Sequence, residues 1–376
     1  MDLPTLQDRP HLGQVIPAAL AALGVEGFEN TLDFPRLSRA CVLLVDGLGW
    51  ELLNEHISDA PVLNALSRSS LQVGYPATTA AGLAAIGTGV SSGEHGLAGY
   101  TFEVPGAGVI NALRWCSHPG GLDLRDRLRP EEVQPLPTTF SRAAAAGVET
   151  TVVSSAEFAD SALTRAVLRG ARYSGVYAFG DLAAATLHAL RASPSLCYAY
   201  HSQLDMLGHL YGPGSPAWRM QLRQVDRLVE SLVDELPPGC MLAVVADHGM
   251  VHVADSVVDV DATPGLLGGV RAIGGEVRAR HVYTVDGAAS TVLSAWRETL
   301  GDRAWVASRE EAIEAGWFGP SVGDRIRARI GDVVAAARGE FGLLRRRAEP
   351  LESSFLGQHG SLTTAEQLVP LVVAYS

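Results

Sequence analysis

Seven polar side chains sit where apolar runs give out, and their types suit the grip of divalent cations and the activation of a hydroxyl. Asp46 ends the run CVLLVDG (41–47), and Asp247 and His248 end MLAVVADHG (241–249). Asp205 and His209 follow the run LCYAYHSQLD (196–205), and His359 lies in GQHGSL just before the last apolar run. Asp205 and His209 are four residues apart and share one face if their segment is helical. Carboxylates and imidazoles without cysteine suit zinc and admit manganese. The remaining candidate is a hydroxyl in YPATTAAGLAAIGTG, where Thr78 and Thr79 precede an alanine-rich, helix-favouring stretch. A threonine there serves equally as a helix cap. The same position suits a nucleophile, because the amides and dipole of a helix start favour an alkoxide or a bound phosphate.

Such residues need a frame that brings distant segments together. The runs 41–47, 150–155, 196–205, 241–249 and 368–376 are continuously apolar and then turn abruptly polar. That pattern marks strands covered on both faces, as in a mostly parallel sheet. Between them lie helix-like stretches. In 215–236, Ser215 and Pro216 form a cap and first turn, and Leu222, Val225, Leu228, Val229, Leu232, Val233 and Leu236 follow the 3.6-residue period. The fold class predicted is α/β, a central mostly parallel sheet with helices on both faces. Ligands of such sheets bind beyond the carboxyl ends of the strands, where the acids fall.

The composition narrows the rest. The 376 residues carry 29 basic and 41 acidic side chains, a net charge of −12, and 47% hydrophobic positions. All 29 bases are arginine, so lysine-based Schiff-base or P-loop chemistry is excluded. The acidity argues against a stable nucleic-acid complex. Arg345, Arg346 and Arg347 form the one basic run, read as a solvated surface. Cys41, Cys116, Cys197 and Cys240 make no CxxC pair and are expected as buried free thiols in a reducing compartment. With no apolar leader-like region and no apolar run of membrane-spanning length, the expectation is a cytoplasmic chain without a membrane partner.

Taken in order, VLLVDGLG, YPATTAAG, LDMLGH, VADHGM and GQHG resemble the motifs of the alkaline phosphatase superfamily. The resemblance spans residues 41–376 and is strongest to the nucleotide pyrophosphatase/phosphodiesterase branch. It implies that Asp46, Asp247 and His248, with the nucleophile Thr79, hold one metal ion, and that Asp205, His209 and His359 hold the other. It also implies hydrolysis of phosphodiester or pyrophosphate bonds through a covalent phosphothreonine. The cofactors would be two divalent ions, zinc first with manganese as the alternative. The partner would be a small phosphate ester or nucleotide. One departure stands out: three residues past the nucleophile many members carry an asparagine that binds a phosphoryl oxygen, and this chain has Gly82. Arg278, Arg280 and His281 are candidates to replace it, and Phe102 and Trp115 could stack on a base.

Phosphomonoesterase and phosphonate hydrolase chemistry remain open on the same scaffold, as does a noncatalytic metal-binding protein. A sulfatase is disfavoured, because YPATTAAG lacks the C/S-x-P-x-R context. The rhythm of strands and helices breaks at 261–352, which is read as an inserted cap. Residues 41–260 with 353–376 form the expected core, and 1–40 an extension packed on it.

Overall fold

The computed structural model describes residues 3–6, 9–253 and 256–376, and residues 1–2, 7–8 and 254–255 lie outside the described residues. The chain lays down β1 (Arg39–Val45), β2 (Ser67–Gln72), β3 (Glu149–Ser155), β4 (Arg172–Val176), β5 (Ser195–His201) and β6 (Cys240–Val245). It then builds a second sheet from β7 (Val270–Glu276), β8 (Ala279–Thr284), β9 (Ala304–Ser308) and β10 (Val333–Ala337). It returns through the short β11 (Gly357–Gln358) and ends in β12 (Leu368–Tyr375).

The main sheet has the order β2-β12-β6-β1-β5-β3-β4. β6, β1, β5, β3 and β4 pair in parallel, whereas β12 pairs antiparallel with both β6 and β2. β1 and β6 are buried almost end to end, as strands with covering on both faces must be. The second sheet is antiparallel in the order β7-β8-β10-β9. Val260, Ile273, Val282, Trp296 and Val333 gather there into an apolar cluster separate from that of the main sheet.

Helices surround the main sheet. Those used below are α1 (Val15–Ala22), α2 (Thr79–Thr88), α3 (Gln203–Tyr211) and α4 (Pro216–Asp234). α1 buries Val15, Ile16 and Leu20 in the same apolar cluster as β1. α4 starts where the sequence predicts, because the Ser215 hydroxyl accepts from the Trp218 amide at 3.3 Å and Pro216 occupies the first turn. It buries Leu222, Val225, Leu228, Val229 and Leu232, together with one acid, Asp226. That carboxylate accepts from the amides of Val62 and Leu63, which start the short helix Pro61–Ala65.

Within the main sheet, β2 and β4 are the strands that the apolar pattern does not predict. Both lie at sheet edges and are largely solvent-facing, so neither needs a continuous apolar run. The four cysteines are buried and free. Among the described residues no helix is long and apolar enough to cross a membrane.

Candidate metal centre

The three adjacent strands at the centre of the sheet deliver most of the site. Asp46 follows β1, Asp247 and His248 follow β6, and β5 runs into α3, which carries Asp205 and His209. Because these strands are parallel neighbours, their carboxyl ends lie side by side. His359 comes from the loop after β11, and Thr79 opens α2. Gly47, at φ +74°, turns the chain after β1 so closely past α3 that a Cβ there would lie 2.9 Å from the Asp205 Cβ.

All seven predicted residues come together. The Asp46 Oδ1 lies 3.3 Å from the His248 Nε2, and the Asp205 Oδ2 lies 3.3 Å from the His209 Nε2. The His359 Nε2 is 4.0 Å from the Asp205 Oδ1. The Thr79 hydroxyl is 3.3 Å from the His248 Nε2. The rings of His248 and His359 stack with centroids 3.6 Å apart. Among the described residues, two donor groups have the geometry to hold a cation: Asp205 with His209 and His359, and Asp46 with Asp205 and His248. The first is the predicted trio. In the second, Asp205 takes the place expected for Asp247, whose Oδ1 accepts from the Gly47 amide at 3.2 Å and whose Oδ2 is 3.9 Å from the His248 Nε2.

The hydrogen bonds around this cluster fit a cation. Each imidazole turns its Nδ1 to a carbonyl oxygen: His209 to Gly357 at 2.7 Å, His248 to Gly249 at 3.0 Å and His359 to Ala77 at 2.9 Å. A carbonyl only accepts, so Nδ1 carries the proton and the Nε2 lone pair faces the carboxylates. The Asp46 Oδ1, Asp205 Oδ1 and Asp247 Oδ2 are buried without a hydrogen-bond partner. Lone pairs facing unpartnered carboxylate oxygens need a positive charge between them.

Without a cation, protons take that role. Burial, and then the nearby Asp205, push Asp46 up to about 8 against the pull of the Tyr200 hydroxyl, which donates to it. Burial and then Asp46 raise Asp247 well above the usual carboxylate range. For His209, burial opposes the charge, but the Asp205 carboxylate outweighs it and pushes the imidazole up to about 9. Burial likewise opposes ionisation of Asp205, yet His209 and its neighbours hold that acid below the usual range. His359 is held well below its ordinary value by burial and then by His248.

A cavity of about 320 Å³ opens over Thr78, Thr79, Asp205, His209 and His359. Its outer wall is apolar, with Leu113, Met206, Leu210, Leu351 and Phe355, and carries Tyr100, Arg114 and Glu352. A larger cavity of about 560 Å³, bounded by His11, Tyr75 and His95, contains none of the seven residues.

Several expectations are corrected. Arg278, Arg280 and His281 are fully buried and do not line the 320 Å³ cavity. Arg278 pairs with Glu366, Arg280 pairs with Glu349, and His281 lies between the Ala98 carbonyl and the Gly331 amide. Arg278 lies in the turn before β8, and Arg280 and His281 lie on opposite faces of β8, which is covered on both, so all three end in the interior, where charge survives only if paired. Phe102 and Trp115 are also fully buried, and the Trp115 indole donates to the Leu128 carbonyl. In the basic run, Arg346 and Arg347 are exposed in a turn, while Arg345 pairs with Asp261.

Sequence reasoning missed Tyr200, Tyr100 and Glu276. Tyr200 stood inside a run read only as a strand. Glu276 stood two residues from Arg278, in a stretch inspected for bases.

A parallel-centred sheet thus carries a threonine-headed helix and Asp/His donors at its carboxyl edge. The chain belongs to the type I phosphodiesterase/nucleotide pyrophosphatase family, whose model matches residues 40–362. Among solved structures it is similar to murine ectonucleotide pyrophosphatase/phosphodiesterase 5, in an inactive form in complex with AMP. That likeness has TM-score 0.67 and 17% identity over 89% of this chain and 87% of that one. It is also similar to phosphonoacetate hydrolase from Sinorhizobium meliloti in complex with phosphonoformate, with TM-score 0.66 and 21% identity over 90% and 91% of the two chains. Curated relatives match shorter stretches. GPI ethanolamine phosphate transferase 3 of Schizosaccharomyces pombe is 40% identical over 52 residues, which are 14% of this chain and 6% of that protein. An uncharacterized pyrophosphatase/phosphodiesterase of the same yeast is 28% identical over 156 residues, 35% of this chain and 31% of that protein. The chain thus matches less than a third of the length of either.

Proposed function

We propose that the protein hydrolyses phosphodiester or pyrophosphate bonds of small molecules, with Thr79 as nucleophile. The observation that carries this reading is the convergence of three Nε2 lone pairs and three unpartnered carboxylate oxygens beside the Thr79 hydroxyl. The residues fit two divalent cations, zinc first and manganese as the alternative, with Asp46, Asp247, His248 and Thr79 assigned to one and Asp205, His209 and His359 to the other, Asp205 lying within reach of both. When bound, such ions supply Lewis acidity to the phosphoryl group and favour the ionised threonine.

The chain's own part starts at the head of α2, where the helix start favours negative charge on Thr79. The Thr79 Oγ1 attacks phosphorus, an Oγ1–P bond forms and the bond from phosphorus to the leaving oxygen breaks. Water then cleaves the phosphothreonine, restoring the hydroxyl and releasing the phosphate product. The apolar outer wall receives the organic part of the ester, and AMP bound to the murine relative supports a nucleotide as one such ester. We read 41–260 with 353–376 as the catalytic core, 1–40 as an extension packed on it and 261–352 as a cap. The buried free thiols fit a cytoplasmic setting.

The test measures metal content and turnover together. Purified protein should hold close to two ions per chain and turn over bis-p-nitrophenyl phosphate faster than p-nitrophenyl phosphate. Thr79→Ala should keep the ions and lose turnover. A preference for the monoester or for a phosphonate would move the assignment to those chemistries, and bound metal with no hydrolysis of either ester would leave a noncatalytic metal-binding protein.

A further inference from the structure

The cavity over Thr79 has one acidic wall that the seven residues do not explain. Glu276 closes β7, comes from the second sheet, and is about nine-tenths buried, at 9% exposure. The Thr78 hydroxyl donates to its Oε2 at 2.6 Å. Thr78 stands at the cap position of α2 yet makes no side-chain cap bond, so its hydroxyl serves Glu276 and not the helix. The other oxygen, Oε1, is buried and has no hydrogen-bond partner. It faces the loop after His359, since a Cβ on Gly360 would lie 3.1 Å from it. Glu276 lines the cavity over Thr79, and a buried carboxyl with one oxygen anchored and the other unsatisfied has a hydrogen bond left to make.

We propose that Glu276 is a substrate-contacting residue that offers Oε1, as a neutral carboxyl, to donate a hydrogen bond to a non-bridging phosphoryl oxygen of the ester held at Thr79. The inference rests on the phosphoryl-transfer reading above. An ionised carboxylate at this position would repel the phosphoryl group, whereas an O–H would bind it. Anchoring by Thr78 fits that form, because Oε2 accepts and leaves Oε1 to carry the proton. Burial first of all pushes Glu276 up to about 8, with Glu366 acting the same way, against the pull of Thr78, His248 and Arg280. α2 itself offers no side-chain donor at Gly82, where a Cβ would lie 2.5 Å from the Asp247 Cβ.

The experiment compares Glu276→Gln, Glu276→Leu and Thr78→Val in the metal-loaded full chain. It reads kcat/KM for bis-p-nitrophenyl phosphate and, separately, calorimetric binding of inorganic phosphate. A glutamine keeps the acceptor for Thr78 and offers an N–H in place of the O–H. Glu276→Gln should therefore retain most of the kcat/KM and phosphate affinity. Glu276→Leu should lose about tenfold to a hundredfold in both. Thr78→Val, which releases the carboxyl without changing it, should lose part of each. Equal losses in the glutamine and leucine variants would overturn the proposal, since an anion would then be needed. An unchanged leucine variant would overturn it as well. If the parent protein hydrolyses no phosphate ester, the phosphoryl-transfer reading falls, and the phosphate-binding series still decides the role of Glu276.

Discussion

Gly82 and Asp247 touch backbone to side chain: a Cβ on Gly82 would lie 2.5 Å from the Asp247 Cβ and 2.9 Å from its carbonyl oxygen. The glycine lets α2 press against the end of β6, so the helix that carries Thr79 and the loop that carries Asp247 and His248 are held as one unit. No asparagine fits at that position without moving one of them.

Gly82→Asn should therefore add no useful contact. We expect a loss of about 1–3 kcal/mol in stability, as for other overpacked interiors, together with weaker metal retention. Denaturant unfolding and metal analysis of the variant check both, and a stable variant with its full metal content would contradict the close packing.

Asp205 belongs to both donor groups, whereas His359 belongs to one. Asp205→Asn should empty the centre of both ions, and His359→Asn should leave close to one per chain. Metal-to-protein ratios after dialysis separate these outcomes, and a half-loaded Asp205 variant would show that the groups do not share that carboxylate.

Tyr200 donates to the Asp46 Oδ2 and fixes the carboxylate from behind. Tyr200→Phe removes only that hydroxyl. Metal affinity should fall about tenfold to a hundredfold with the fold intact, as for other partners of ligating side chains. Competition with a chelator measures it, and unchanged affinity would assign Tyr200 to packing alone.

The metal-free protein should weaken as pH rises from about 6.5 to 8. Asp46 and Glu276, both raised to about 8, hold protons in the folded chain that the unfolded chain has released, and His209, raised to about 9, acts in the same direction. Their contribution is complete below the unfolded-state values and disappears as pH passes the folded ones. Below about 6.5 the order changes, because His201 and His281, each lowered to about 4, withdraw stability as pH falls. Thermal unfolding with chelator and with zinc should show a Tm gap that widens with pH from about 6.5 to 8. A constant gap would contradict the proton-for-cation exchange.

The central strands are legible in the sequence because burial on both faces leaves continuous apolar runs, and the acids that end them are legible because a strand's carboxyl end is where such sheets bind ligands. The two edge strands are not, since β2 and β4 face solvent and their residues follow no apolar pattern. The covering of β8 on both faces is equally hidden. Arg278, Arg280 and His281 look like free bases in the sequence, and only the burial of β8 and of the turn before it puts them inside, onto Glu366, Glu349 and the Ala98 carbonyl. Glu276 escapes notice for a related reason. Its role depends on a hairpin from the second sheet reaching Thr78, 198 positions away in the chain.

The last strand gives the protein an order of assembly. Among the described residues β12 is the one strand that pairs with β2, so a segment near residue 70 waits for residues 368–373 before it can join the sheet. His359 likewise reaches the cluster from far along the chain, so the imidazole set forms only through pairings between distant segments, which form more slowly than local contacts.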